Sequence, residues 1–198
     1  MIALIDYEAG NICSVMNALD RLDVDYQLTD DSNVIQAADK VIFPGVGHAG
    51  AAMANLTEKG LDQVIKQLKQ PVLGICVGMQ LLCTHSEEGD TTCLNIVPAK
   101  VRRFSSDLAL KVPHMGWNEI QSKTSDHQLL NGVDNNDHVY FVHSYYVEDN
   151  KFSIASARYG IDICAAVHKD NFYGIQFHAE KSGSVGEQIL ANFIKLII

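Results

Sequence analysis

Residues 71–82 read PVLGICVGMQLL, a run that leaves the backbone little choice. Pro71 to Ile75 is a short apolar run that predicts a buried strand. A Gly-x-Cys-x-Gly turn follows, and then an apolar helical run. A strand that turns this sharply into a helix pushes one side chain, here Cys76, outward in strained backbone geometry. Gly74 and Gly78 remove the side chains that would clash in so tight a turn. The helix is expected to aim its free N–H groups at the sulfur and so favour thiolate, the reactive form. A lone cysteine is ordinarily a small packing residue. Strand core, however, has no need of glycine at both −2 and +2, so the nucleophile reading of Cys76 is preferred.

The surrounding chain supplies a sheet for that turn. Ile2 to Ile5 reads as a strand. Ile12, Val15, Met16, Leu19 and Leu22 then share one helical face. Val24 to Leu28 and Lys40 to Phe43 are the next strands, the latter ended by Pro44-Gly45, and a helical pattern runs from about Ala51 to Leu68. This alternation predicts an α/β fold, with a mostly parallel central sheet flanked by helices. The second half differs. Residues 94–121, 138–148, 153–159, 163–168 and 172–178 are rich in β-branched and aromatic residues, which predicts extra antiparallel strands. Gly183 leads into a last helix striped by Val185, Ile189, Phe193 and Ile197. No repeat or linker interrupts the 198 residues, so a single domain over 1–198 is expected.

A net charge of −9 argues against nucleic acid or anionic membrane as general partners. No apolar run approaches a membrane span, and residues 1–6 read as a strand ending in an acid, not as a signal peptide. The five cysteines lack metal or redox spacing, so a reducing cytoplasm is the expected location, with no metal site. Cys13, Cys83, Cys93 and Cys164 have apolar neighbours and are read as packing residues.

A cysteine nucleophile needs a base. His178 ends the run FYGIQF, where a strand reaches the carboxyl edge of the sheet, the usual place for catalytic groups. If extension continues, Glu180 points to the same side and can accept the imidazole N–H. A His-x-Glu pair alone would ordinarily be a solvated strand end; beside the elbow the functional reading prevails. Two donors suit a developing oxyanion. They are the backbone N–H of Val77 and the glycine-rich turn Pro44-Gly45-Val46-Gly47, and losing one such donor costs about 2.7–4 kcal/mol in a barrier. Phosphate binding is the rival use of that turn, but the P-loop spacing and lysine are absent. Gln80 lies one helical turn after Cys76, where its amide either covers the pocket or faces solvent.

Elbow, glycine-rich turn and His-x-Glu together resemble the class I (triad) glutamine amidotransferases. Within them the chain looks most like glutaminase subunits of imidazole glycerol phosphate synthase. The supporting segments are Asp6-Tyr7 with Gly10-Asn11, PGVGHAG at 44–50, GICVGMQLL at 74–82, SEEG at 86–89, PHMGWN at 113–118, YFVHSYY at 140–146 and KDNFYGIQFHAEKSG at 169–183. The resemblance implies that Cys76 attacks the side-chain amide of L-glutamine, assisted by His178 and Glu180. Gly45, Val46, Gly47, Gln80 and His143-Ser144-Tyr145 would hold substrate and oxyanion. It implies no cofactor. It also implies a heterodimer with a cyclase subunit, a (βα)8 barrel, that receives the ammonia. His114, Met115, Trp117 and Lys181 would lie at that face; read alone, Trp117 is as readily a core anchor and Lys181 a solvated lysine. A glutaminase serving another amidation pathway and a free-standing cysteine hydrolase stay open.

Four departures from the family pattern stand out. Ala179 replaces the proline between histidine and glutamate, and alanine can adopt the same angles. Val77 replaces leucine, Glu8 replaces a glycine, and residues 90–95 lack the usual glycine-containing pattern.

Overall fold

The computed structural model describes residues 1–8 and 12–196. Gly10, Asn11 and Ile197, named above in the first-loop motif and the last helical stripe, lie outside the described residues. The first half runs β1 (Ile2–Ile5), α1 (Ile12–Arg21), β2 (Tyr26–Thr29), α2 (Ser32–Ala37), β3 (Lys40–Gly45), α3 (Ala49–Glu58), α4 (Leu61–Gln67), β4 (Val72–Cys76) and α5 (Val77–Leu81). The second half holds β5 (His85–Ser86), β6 (Thr91–Thr92), β7 (Lys100–Arg103), β8 (His114–Glu119), β9 (Gln121–Ser122), β10 (His138–His143), β11 (Tyr145–Val147), β12 (Ser153–Tyr159), β13 (Ile161–Lys169), β14 (Phe172–Ile175) and α6 (Gly183–Lys195).

The main sheet has the order β2-β1-β3-β4-β14-β13-β12-β9. Its first five strands pair in parallel. The last three are added antiparallel. Strands β1, β4 and β14 are buried at every position, as strands covered on both faces must be. A two-stranded ribbon, β8–β10, and a small sheet ordered β11-β7-β5-β6 stand beside the main sheet. Tyr7, Phe43, Phe141, Phe177 and Phe193 are the largest fully buried side chains among the described residues. Among the described residues no helix is long and apolar enough to cross a membrane.

Several expectations need correction. The helical pattern from Ala51 to Leu68 is two helices, because Gly60 adopts φ 67 and breaks the run. Helix α2 carries no apolar stripe, since Ile35 is its one buried residue, and the sequence pattern misses it. Strand β3 continues through Pro44 and Gly45, which pair in register with Ile75 and Cys76. Cys13 is exposed; it lies about 100° around the helix from Ile12 and off the buried stripe of Val15 and Leu19. The other three packing cysteines are buried. Burial pushes the Cys93 thiol up to about 11, Cys164 up to about 12 and Cys83 well above the ordinary range, so they stay protonated.

The glycine departures have a backbone explanation. Glu8 stands at φ 61, and Asp90 and Asn95 at φ 50 and 56. These loops keep the left-handed geometry that glycine adopts freely. Asp and Asn tolerate it, while Glu8 is further held by an ion pair to Lys59 at 3.3 Å.

Candidate active site

Three carboxyl ends of adjacent parallel strands meet at one point: Gly45 of β3, Cys76 of β4 and the segment leaving β14. Cys76 has φ 53 and ψ −111, a conformation that costs a non-glycine residue about 1–3 kcal/mol. The neighbouring glycines permit it. A Cβ on Gly78 would sit 2.0 Å from the Phe43 carbonyl oxygen, and one on Gly74 would sit 2.8 Å from the Gly78 carbonyl. The turn at β3 is braced by Tyr7, whose buried hydroxyl donates to the Pro44 carbonyl at 2.6 Å.

His178 follows β14 after two residues. Its backbone N–H donates to the Tyr140 carbonyl at 2.9 Å. Its carbonyl accepts from the Ser182 hydroxyl at 2.6 Å, and the same hydroxyl accepts from the Tyr140 N–H at 2.9 Å. The backbone of His178 is thereby tied to ribbon β8–β10 through its N–H directly and through its carbonyl by way of Ser182. Nδ1 lies 2.7 Å from Glu180 Oε1, with both side chains almost wholly buried. The expected reason for this pairing is wrong: residues 179–181 form a 3₁₀ turn, not an extension of the strand. The turn closes against α6, where a Cβ on Gly186 would meet the Ala179 carbonyl at 1.9 Å. Alanine at 179 is accommodated in this geometry.

The other ring nitrogen, Nε2, is buried and makes no hydrogen bond. Burial disfavours a charge on this imidazole. The neighbouring Cys76 sulfur and Glu180 carboxylate outweigh it and raise its pKa above the ordinary histidine value.

Cys76 and His178 line a cavity of about 190 Å³ with Val46, Gly47, Val77, Gln80, Glu88, Val142, His143, Ser144 and Tyr145. Gly45 is not on its wall; it packs behind, where an added Cβ would strike the Tyr7 hydroxyl at 2.6 Å. Gln80 does not leave its amide nitrogen free for a ligand. That nitrogen donates to the Tyr145 carbonyl at 2.8 Å and to Gln176 Oε1 at 2.9 Å. His143 is likewise committed. Its Nδ1 donates to the Tyr145 carbonyl at 2.7 Å, so Nε2 must accept from His114 Nδ1 at 2.9 Å. Burial, first, and the neighbouring histidines push its pKa down to about 3.

His114 corrects its expected place at an outer face. It is 3 % exposed, stacked between Phe141 and Tyr159, and its pKa is pushed by burial to about 4. Met115 and Trp117 point outward, 62 % and 56 % exposed, so Trp117 is not a core anchor. Lys181 is exposed.

Two cavity residues escaped the sequence reading. Glu88 accepts the Ala49 N–H at 2.7 Å and so caps α3 while facing the cavity. The SEEG segment was its signal. Val142 lines the wall through the ribbon, and its signal was the YFVHSYY segment at 140–146. A larger hollow of about 830 Å³ lies below residues 122–135, but it contains no cysteine, so size does not locate the chemistry. Among the described residues no group of three His, Cys, Asp or Glu side chains is placed to hold a metal.

A family model described as glutamine amidotransferase class-I matches residues 3–196. The imidazole glycerol phosphate synthase subunit HisH of Bacteroides fragilis is 54 % identical over 196 residues, covering 98 % of this chain and 99 % of that protein. The subunit of the same name from Haemophilus influenzae is 47 % identical over 196 residues, covering 99 % and 98 %. Among solved structures, a glutamine amidotransferase superposes with TM-score 0.75 at 15 % identity, covering 98 % of both chains. PurLQS from Thermotoga maritima superposes with TM-score 0.70 at 15 % identity, covering 98 % of this chain and 96 % of that one. At such identities the structural likeness is one of fold.

Proposed function

Because the chain belongs to the class-I glutamine amidotransferases, we propose that it is the glutaminase subunit of an imidazole glycerol phosphate synthase, acting in histidine biosynthesis. The observation that carries the chemistry is the alignment of Cys76, His178 and Glu180 at the carboxyl edge of the sheet. Raised basicity at His178 keeps a proton on the imidazole beside Cys76, and the reaction proceeds from the Cys76 thiolate. The thiolate attacks the side-chain amide carbon of glutamine, and negative charge moves to the amide oxygen. The N–H of Val77 and the Val46-Gly47 part of the glycine-rich turn receive that charge, with Gly45 packed behind them. The imidazolium gives its proton to the departing nitrogen, and ammonia leaves a glutamyl thioester on Cys76. His178, now neutral, takes a proton from water as the water attacks the thioester carbonyl. Collapse expels thiolate and glutamate, and the imidazolium is restored. Glu180 holds the tautomer and stabilises the imidazolium throughout. The Glu88 carboxylate in the wall supplies charge complementary to the α-ammonium of the substrate.

The ammonia passes to a second subunit. We assign that partner as a cyclase with a (βα)8 barrel, seated over β8. The exposed Met115 and Trp117, with the half-exposed Val112, offer it an apolar surface, and Lys181 a rim charge. A cytoplasmic location suits a chain whose described cysteines are all free.

The test mixes Cys76→Ala with the neighbouring cyclase. The variant should bind the partner and hydrolyse no glutamine, while the partner still forms product from added ammonium. Hydrolysis retained in that variant sinks the nucleophile assignment. Full turnover by the wild-type chain alone, without stimulation by the cyclase, would favour the free-standing hydrolase.

A further inference from the structure

Gln176 stands between β14 and His178 and has no part in the reaction as written above. Its side chain is fully buried. A primary amide in such a place must satisfy its carbonyl and its N–H groups internally. Gln176 Oε1 accepts from Gln80 at 2.9 Å, and Gln176 Nε2 donates to the Cys76 sulfur at 3.7 Å. The direction of this chain is fixed at its far end. The Tyr145 backbone carbonyl only accepts, so Gln80 must turn its NH₂ group toward it, at 2.8 Å. The same NH₂ group reaches Gln176, which must therefore present its carbonyl to Gln80 and its own NH₂ to the sulfur.

We propose that Gln176 is a further catalytic residue, whose amide N–H donates to the Cys76 sulfur and stabilises it as thiolate, with Gln80 as the positioning residue that fixes the amide's orientation. A thiolate is the better acceptor, and hydrogen bonds to an ionised partner are roughly twice as strong as neutral ones. Gln176 lies on the dry side of the sulfur, where no water replaces a lost donor. The bond weakens when sulfur gives its charge to the amide carbon and is regained when thiolate leaves the tetrahedral intermediate. Gln176 thus assists both formation of the nucleophile and its expulsion in the second half-reaction. His178 supplies and removes protons; Gln176 moves none.

The proposal rests on Cys76 being the nucleophile, and its test reads the thiol directly. The alkylation rate of Cys76 by iodoacetamide is followed against pH in the full chain, with Cys76→Ala correcting for the other cysteines. Gln176→Met keeps the volume and removes the donor. Its apparent thiol pKa should rise by about one unit, with glutamine hydrolysis by the complex about tenfold slower at neutral pH. Gln176→Glu should raise it further. Gln80→Met, which frees the Gln176 amide to turn over, should raise it less. A folded Gln176→Met with the wild-type profile overturns the proposal. Wild-type protein gives an independent reading should the variants fail to fold. The side-chain amide ¹H and ¹⁵N shifts of Gln176 should titrate with the Cys76 midpoint and lose that step in Cys76→Ala, and shifts that stay flat also overturn the role. Glutamine hydrolysis surviving in Cys76→Ala defeats the nucleophile itself, an outcome distinct from either.

Discussion

Two histidines line the cavity from opposite walls, and each bonds through Nδ1 to an oxygen two residues along the chain, at 2.7 Å. On the parallel-sheet wall, His178 meets the Glu180 carboxylate. On the ribbon wall, His143 meets the Tyr145 backbone carbonyl, and its second nitrogen is taken by His114. The first ring has its pKa raised and keeps Nε2 without a hydrogen bond. The second has its pKa lowered to about 3 and keeps nothing free. Spacing, distance and burial are alike. The difference lies in the partners: the Cys76 sulfur and the Glu180 carboxylate raise the pKa of the first ring, while the second has a neutral carbonyl and a second histidine.

The largest expected effect breaks the parallel wall itself. Gly78→Ala places a Cβ 2.0 Å from the Phe43 carbonyl oxygen, against strand backbone that has no flexible side chain to give way. It should destabilise the fold by more than about 4 kcal/mol or yield no soluble protein, as urea unfolding or expression would show.

Glu180→Gln leaves the wall standing and removes its charge. Glutamine hydrolysis by the complex should fall about 10²–10⁴-fold. NMR titration of His178 should show its pKa dropping toward 6.5. Stability follows by linkage. A histidine with raised pKa stabilises the fold fully below 6.5, and that contribution is lost as pH rises through the raised value. In the variant the carboxylate's share of this contribution disappears while that of Cys76 remains, so its unfolding midpoint should lose part of the corresponding slope. An unchanged His178 titration would show that Glu180 does not supply the charge.

The ribbon wall responds to acid with the opposite sign. Burial lowers His143 to about 3 and His114 to about 4, and away from the ribbon it lowers His127, beside His168, also to about 4. Between 6.5 and those values the unfolded chain binds protons that the folded chain refuses, so stability falls as pH falls. His143→Phe should cost about 1–3 kcal/mol near neutrality, because it strands the His114 N–H. It should also flatten part of the acid slope in urea midpoints measured from pH 8 to 4. A full acid slope in that variant would assign the lability elsewhere.

The smallest effect belongs to the outer side of the same ribbon. Trp117→Ala should change the stability of the isolated chain by less than about 0.5 kcal/mol. Its measurable consequence is weaker binding to the cyclase, read by titration calorimetry. A large loss of stability in the free chain would mean that Trp117 braces the ribbon after all.

The contrast also shows where the sequence was legible. Buried runs at β1, β3 and β4 announce a parallel sheet because strands covered on both faces must be apolar throughout. The Cys76 elbow is legible because its constraint is local: glycines at −2 and +2 are required by atoms within a few residues and one strand away. Helix α2 is too short and too exposed to show a stripe. The split between α3 and α4 depends on one glycine whose left-handed φ the apolar pattern does not signal. The His-x-Glu pair is legible as a pair, while its 3₁₀ geometry is imposed by close packing of residue 179 on α6.

By itself, then, the sequence determined the α/β alternation and the sharp turn at Cys76, since each depends on neighbours along the chain, and it marked the His178–Glu180 pair without the 3₁₀ geometry that joins it. Only the tertiary structure decided that His114 faces inward while Met115 and Trp117 face out. It alone committed the Gln80 amide nitrogen to Tyr145 and Gln176, occupied the second ring nitrogen of His143 and placed an N–H of Gln176 against the Cys76 sulfur. Those assignments depend on partners 29 to 100 residues away. A side chain's hydrogen-bonding role is set by what folding brings beside it, and no local spacing encodes that.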